Sequence, residues 1–304
     1  MIDVVRAGLQ DLVMDLGRPG FRAQGVPECG AADRSALIWA NRLVGNADNA
    51  SGLELLLRGP TLRFPLGGRV ALAGADMGAR INGVGVERGR EQAVPAGGLL
   101  ELRQASAGLR GYLAVAGGID AMPVMGSCAT FLAGGFGGWK GRALKAGDRL
   151  PLGRPGRGRK GRLSCAACAS ALRVLPGPQL AGFSDAALKA LTASEYRVSA
   201  DANRQGLRLS GARLDYTGGQ TGSQAVLPGA IQVPPDGQPI VLGWDGPVTG
   251  GYPVIAAIVA ADLPHLGQLG PGDGLRLSFV SLDEARNAWR RLQQNLDEAI
   301  LWED

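Results

Sequence analysis

The sequence has little of what metal and redox chemistry uses. Among its 304 residues are one histidine, His265, and four cysteines, Cys29, Cys128, Cys165 and Cys168. A single histidine removes most zinc geometries and leaves no spare for a Ser-His-Asp triad. It lies in ADLPHLGQLGPGD, between a helical stretch and a strand, and reads as an ordinary loop residue. Cys165 and Cys168 form a C-x-x-C, but no second C-x-x-C and no nearby histidine completes a site. Four cysteines are too few for a disulfide framework in a chain of this size. No metal is expected. Aromatic residues make up only 5%, so the cores must be built from Leu, Val, Ile and Ala.

Long apolar runs are also missing. None approaches the roughly 20 residues of a membrane helix. The N-terminus, MIDVVRAGLQ, lacks the basic start and apolar stretch of a signal peptide. The expectation is a cytoplasmic protein without a membrane partner. The formal charge of +5 is local: RPGRGRKGR, residues 154–162, holds five basic residues, and the remaining 27 equal the 27 acidic ones. This stretch has no aromatics to stack on bases, so it reads as a solvated linker rather than a nucleic-acid surface.

What is abundant is glycine, 49 residues, with 18 prolines. Apolar runs of four to eight residues alternate with Gly, Pro, Asn and Asp, the pattern of a β-barrel or sandwich. The pattern repeats. LELLLRGPTLRF (53–64) parallels LRVLPGPQLAGF (172–183). Asp76, Asp120 and Asp148 recur as Asp201, Asp245 and Asp273, all at one offset of 125 residues. The reading is an internal duplication: an N-terminal segment with one helix (1–53), a first β domain (54–153), a basic Gly-rich linker (154–170), a second β domain (171–281) and a C-terminal helix (282–304). Few helices are expected. One falls at 33–45 and one at 283–300, the latter opened by a capping box of Ser281 and Glu284. A short one follows Gly251, with Ile255, Ile258 and Val259 buried.

Two stretches carry candidate chemistry. AGGFGGWKGR (133–142) resembles a phosphate loop but fails its spacing, because Trp139 precedes Lys140 and Gly141 replaces the hydroxyl. It reads as a surface hairpin or a lid. GAIQVPPDGQPIVLGWDGPVTGGYP (229–253) gathers Gln232, Asp236, Asp245, Thr249 and Tyr252 among tight turns. Gly250 and Gly251 allow a ligand to approach main-chain N–H groups, which suit an anion or a polarised carbonyl. The bland alternative is two turns with capping aspartates.

NRLVGN (41–46), YLAVAGGID (112–120), GAIQVPPDG (229–237) and TGGYP (249–253) resemble, in order and across nearly the whole chain, the C subunit of ATP-dependent 5-oxoprolinase. That family is also called KipA-like or allophanate hydrolase subunit 2. It is similar to part of the carboxyltransferase domain of urea carboxylase. The resemblance implies a mainly β fold of two cyclophilin-like barrels and a KipI-like B subunit as partner, with a further A subunit in 5-oxoprolinase. It implies ATP-driven opening of a small amide, the 5-oxoproline lactam, to glutamate. The related branch transfers a carboxyl group from biotin to an amide. No Met-Lys-Met is present, so biotin would be carried by another chain, and the ATP site is not assigned.

The site expected from this resemblance is a pocket built by 229–253. Gln232 and the Gly250–Gly251 amides hold the carbonyl oxygen, Asp236 or Asp245 accepts from the amide N–H, and Tyr252 closes one wall. Asp15 and Arg18 of VMDLGR and Ser127 and Thr130 of GSCAT assist, with Arg18 as the cation for a carboxylate or phosphate. The chain departs from the family at Met14, Cys29, Ala32, Cys128, Ala129 and Asn203. Losing an arginine at 128 removes an anion contact. The alternative function is a non-catalytic, regulatory KipA-like protein that pairs with a KipI-like one. The two differ in whether Met14, Cys128, Ala129 and Asn203 line the pocket.

Overall fold

The computed structural model describes residues 1–158, 160–164 and 171–303. The C-x-x-C and part of the expected linker, Arg159 and 165–170, lie outside the described residues. The chain divides into two compact units. The first comprises Met1–Arg18, Cys29–Ala166 and Asn295–Asp304, and the second Pro19–Glu28 and Ala167–Gln294.

In the first unit, antiparallel strands form two main sheets. One has the order Arg149–Leu150, Ile2–Arg6, Thr61–Phe64, Gly98–Glu101, Arg80–Ile81, Val84–Gly85. The other has the order Asp11–Met14, Gly52–Leu56, Ala107–Val115, Gly68–Asp76, Glu91–Val94. Side chains alternate across a strand, and the second sheet uses both faces. Val70, Leu72, Leu113 and Val115 enter the main core. Ala71, Ala73, Tyr112 and Ala114 point the other way, against helix α1 (Arg34–Leu43). Three alanines on that face let the helix approach closely. The helix begins where Asp33 accepts from the Ala36 N–H, and it is followed by Gly45 at φ +76°.

The second unit is an eight-stranded sheet. Its order is Gly274–Leu275, Tyr196–Val198, Gly206–Ser210, Ile240–Leu242, Ala230–Gln232, Val254–Ile258, Leu172–Pro176, Leu277–Phe279. The first and last strands are neighbours in sequence, interrupted only at Arg276, so the sheet curls into a near-closed barrel. Leu207, Leu209, Ile231, Val241, Ile255 and Val174 fill it.

The mainly β character and the small number of helices agree with the sequence. Three details differ. Ile255 and Ile258 are buried as expected, but in the strand Val254–Ile258, not in a helix; Val259 is buried just beyond it. A β-branched run in the middle of a barrel gains more from ladder hydrogen bonds than from helical spacing. The helix after it, α3, is only Leu263–Leu266. A helix not anticipated, α2 (Asp185–Ala193), starts at Ser184, whose side chain accepts from the Ala187 N–H. The last helix, α4, runs over Leu282–Glu298 and opens with the expected capping box: Glu284 accepts from the Ser281 N–H at 2.7 Å, and Ser281 from the Glu284 N–H at 3.2 Å. It stops short of residue 300, because Ile300–Trp302 pairs as a strand with Gly161–Leu163.

The landmarks of the 125-residue offset divide. Asp148 and Asp273 sit in the same turn. Each carboxylate accepts the main-chain N–H three residues back, from Lys145 at 2.7 Å and Gly270 at 2.8 Å. Each is preceded by a glycine of positive φ, Gly147 at +89° and Gly272 at +90°. Asp120 and Asp245 are not in like positions. Asp120 is exposed and follows the strand Ala107–Val115. Asp245 is buried and precedes the strand Val254–Ile258.

Candidate functional site

The expected site residues fall into both units. In the second unit, a cleft of about 560 Å³ opens beside the end of 229–253. One wall is the turn around Pro234, Pro235 and Gly237. The Gly237 N–H donates to the Pro234 carbonyl at 2.9 Å, with Gly237 at φ +76°. A second wall is Gly251, Tyr252 and Pro253, and a third is the segment from Leu214 to Thr221. Tyr252 is 45% exposed. Tyr216 is fixed by its neighbours: its ring centre lies 4.9 Å from that of Phe183, and a Cβ on Gly218 would stand 2.5 Å from its hydroxyl oxygen. The Thr221 hydroxyl is closed off from water and has no hydrogen-bond partner. The lining contains no cation, and its one charged residue, Asp215, stands 3.8 Å from the Arg213 guanidinium. Such a lining suits a neutral polar group such as an amide better than a triphosphate.

Of the expected residues, Gly251 and Tyr252 line this cleft. Gln232 stands behind the wall. It is 4% exposed and its Nε2 donates to the Tyr252 carbonyl at 3.4 Å. A Cβ on Gly250 would come 2.4 Å from that nitrogen, so the free end of the Gln232 side chain would have to move. Thr249 and Gly250 pair as a short strand with Ala225 and Gln224. Gln224 and Gln179 exchange two side-chain amide hydrogen bonds, at 3.0 and 2.9 Å, and the Gln179 Oε1 also accepts from the Val254 N–H at 2.9 Å. These two glutamines tie the Gly-Pro turn at 177–178 to the segment that carries Tyr252. Asp236 is exposed and accepts from the Gln238 N–H at 3.0 Å, an Asx turn. Asp245 is committed elsewhere: both its oxygens accept from Arg204, from Nε and Nη2 at 2.8 Å each, with side chains 3% and 6% exposed.

The sequence reading did not find Tyr216, Thr221, Gln179, Gln224 or Arg204. The polar, glycine-rich run TGGQTGSQ (217–224) was the available signal for the third wall.

In the first unit, Asp15, Ser127 and Cys128 form one hydrogen-bonded network, and Thr130 is buried apart from it. The Asp15 Oδ1 accepts from the Gly17 N–H at 2.8 Å and the Ser127 hydroxyl at 2.6 Å, and Oδ2 from the Cys128 N–H at 2.6 Å. Thr130 donates its hydroxyl to the Val13 carbonyl at 2.9 Å. Burial pushes the Cys128 thiol up from its ordinary pKa, with the Asp15 and Asp120 carboxylates adding to the effect. The thiol therefore stays protonated near neutral pH and is a poor nucleophile. Arg18 is 1% exposed; its Nε donates to the Val124 carbonyl at 3.4 Å and its Nη2 to the Ala129 carbonyl.

The departures from the family pattern are not in the cleft wall. Met14 and Ala129 are fully buried in an apolar cluster with Leu12 and Cys29. Cys128 donates to the Ala121 carbonyl at 3.2 Å. Asn203 accepts from the Gln205 N–H at 2.8 Å in a turn. No group of three or more His, Cys, Asp or Glu among the described residues is arranged to hold a metal ion. No described helix is long and apolar enough to cross a membrane.

This β architecture is that of a carboxyltransferase-type domain. Residues 24–279 match the carboxyltransferase domain family, subdomains A and B, and the chain belongs to that family. It is 44% identical to the C subunit of 5-oxoprolinase from Escherichia coli, over 99% of this chain and 98% of that one. It is 34% identical to the C subunit of 5-oxoprolinase from Haemophilus influenzae, over 98% and 97%. Among solved structures, the urea amidolyase of K. lactis superposes with a TM-score of 0.91 at 27% identity, covering 99% of this chain. The chain spans only 20% of that enzyme's length.

Proposed function

We propose that this chain is the C subunit of a 5-oxoprolinase, working with a KipI-like B subunit and a further A subunit to open the 5-oxoproline lactam to glutamate at the expense of ATP. The observation that carries the proposal is the 44% identity to the C subunit of a 5-oxoprolinase over nearly the full length of both chains. The position of the departures supports a catalytic rather than a purely regulatory role, since none of Met14, Cys128, Ala129 and Asn203 lines the cleft.

In this reading the amide enters the cleft of the second unit. Lactam opening breaks the C–N bond, adds water across it and leaves an amine and a carboxylate. Resonance makes the carbonyl carbon unreactive until its oxygen is stabilised as charge builds on it. The Tyr252 hydroxyl and the main chain at Gly251 supply that stabilisation. Gln232 acts through them, holding the Tyr252 carbonyl and the Gly250 turn in place. Asp236, exposed between the wall residues Pro235 and Gly237, is assigned to accept from the amide N–H; Asp245 is held by Arg204, and Thr249 belongs to the short strand pair that leads to Gly251. ATP drives the step but its phosphates bind outside this cleft, and biotin is not carried by this chain. The proposed setting is the cytoplasm.

The duplication belongs to the same proposal. Two related cyclophilin-like barrels, residues 54–153 and 171–281, account for the matching turns at Asp148 and Asp273. Ala107–Val115 then corresponds to Val254–Ile258, because each pairs with the strand that carries a Gly-Pro turn, Gly52–Leu56 and Leu172–Pro176. Asp262, four residues past its strand, takes the place of Asp245 as counterpart of Asp120.

The test is to measure activity and melting temperature together for Gln232→Ala and Tyr252→Phe in the reconstituted complex. Loss of a positioned donor costs about 10²–10³ in rate. Full activity in both variants, or loss only in proportion to lost folding, refutes the placement of the site.

A further inference from the structure

Arg18 is 1% exposed, and the hydrogen-bond and ring partners of its guanidinium are neutral. The Val124 carbonyl takes Nε, the Ala129 carbonyl takes Nη2, and the ring centre of Phe136 lies 5.2 Å away. Nη1 is closed off from water and has no hydrogen-bond partner. Among the described residues no carboxylate forms an ion pair with this group. Asp15, three residues earlier, spends its oxygens on Gly17, Ser127 and Cys128.

An arginine cannot escape burial by losing its proton. Carbonyls satisfy donors without neutralising charge, and a buried charge without a counter-ion is costly. What Nη1 lacks is therefore specific: an acceptor, best supplied by a negatively charged oxygen. We propose that Arg18 is an anion-binding residue, whose Nη1 edge takes an oxyanion, a carboxylate or a phosphoryl group, from a reactant. Arg is suited to this, since its planar fork matches both groups.

The glycine-rich run at 133–142 is the cover of this site. Gly137 approaches so closely that a Cβ would stand 2.9 Å from Nη2, and Gly135, Gly137, Gly138 and Gly141 all have φ between +51° and +71°. At Gly137 that backbone angle lays bare main chain against the guanidinium. Because Nη1 is sealed, the cover must lift to admit the anion. The inference rests on the proposed function for its reactants alone: 5-oxoproline carries a carboxylate and ATP carries phosphoryl groups. Its test needs no turnover, so the two readings fail separately.

The experiment is calorimetric titration of the full chain with inorganic phosphate, ATP, 5-oxoproline and 2-pyrrolidinone, which is the same lactam without the carboxylate. Wild type is compared with Arg18→Gln, Arg18→Lys and, as a control, Arg63→Gln on the exposed face of the strand Thr61–Phe64. The expected result is binding of at least one anion, weakened about 10–100-fold in Arg18→Gln and unchanged in Arg63→Gln. Binding of 5-oxoproline but not of 2-pyrrolidinone or phosphate identifies the carboxylate as the ligand; binding of phosphate and ATP identifies the phosphoryl group. If Arg18→Gln does not fold, Arg18→Lys decides, with a loss of about tenfold expected from losing the fork. The proposal is overturned if wild type binds no anion, if a folded Arg18 variant binds as tightly as wild type, or if Arg63→Gln loses as much.

Discussion

Replacing Asp245 separates two roles that its position in the sequence left open. As a general base, Asp245 would be needed for turnover and of little consequence for folding. The structure gives it a different partner: a bidentate ion pair with Arg204, both side chains at most 6% exposed. Asp245→Ala removes the acceptor of two charge-assisted hydrogen bonds and leaves the guanidinium buried without its carboxylate. Breaking a buried pair from one side typically costs about 3–5 kcal/mol. Replacing both partners by apolar groups costs far less, so Arg204→Met with Asp245→Leu should recover much of the loss. Urea unfolding of the isolated chain, followed by a probe in the second unit, reads these differences directly. Because the chain has two units, the transition of the second must be resolved before a free energy is extracted. A loss below about 1 kcal/mol in Asp245→Ala, the range of an ordinary surface change, together with abolished turnover in the complex, would refute the structural role and restore the catalytic one.

Two further outcomes follow from named geometry. The Arg142 guanidinium holds the Asp148 carboxyl below the usual carboxylate range, at about 2 against an ordinary 3.8. A depressed folded-state pKa contributes stability that is fully present above the unfolded value and lost as pH falls through the folded one, so the first unit should weaken between about pH 4 and pH 2. Acid unfolding of Asp148→Asn should lack that component, and an unchanged profile would contradict the assignment. Gly250→Ala should push the Gln232 amide, 2.4 Å from the new Cβ, off the Tyr252 carbonyl. Activity in the complex should fall by about 10²-fold with little change in melting temperature. Equal activity would show that Gln232 does not position the wall.

Much of the fold was legible because local signals and tertiary demands agree. The apolar stripe of 33–45 marks a helix, and Ser281 with Glu284 a helix start, that the structure keeps. Ser281 and Glu284 act through main-chain N–H groups a few residues away, within the reach of sequence reasoning. Val254–Ile258 shows the opposite case. Its apolar spacing fits either structure, and only the strands Ala230–Gln232 and Leu172–Pro176 on its two sides decide for a strand. Helix α2 went unseen although Ser184 is a good cap, because only Ala187 and Leu191 are buried and the apolar stripe is thin.

The site was legible in part for a similar reason. Glycines and prolines announced the turns at 234–237 and 250–253, and Tyr252 and Gly251 do face a cleft. No sequence distance shows that Arg204 reaches Asp245 across 41 positions, or that Gln179 clasps Gln224 across 45. A fixed spacing makes Asp120 and Asp245 look equivalent, yet an exposed turn residue and a buried ion-pair partner read alike in a sequence. The Asp148 and Asp273 turns survive that test because their hydrogen bonds, not only their spacing, agree.

The most direct measurement of the central claim is ATP-dependent release of glutamate from 5-oxoproline by purified subunits, with each omitted in turn. The account predicts turnover only when this chain is present together with its B and A partners, and none from the chain alone. Full turnover without this chain, or robust ATP-dependent glutamate formation by this chain alone, would contradict it.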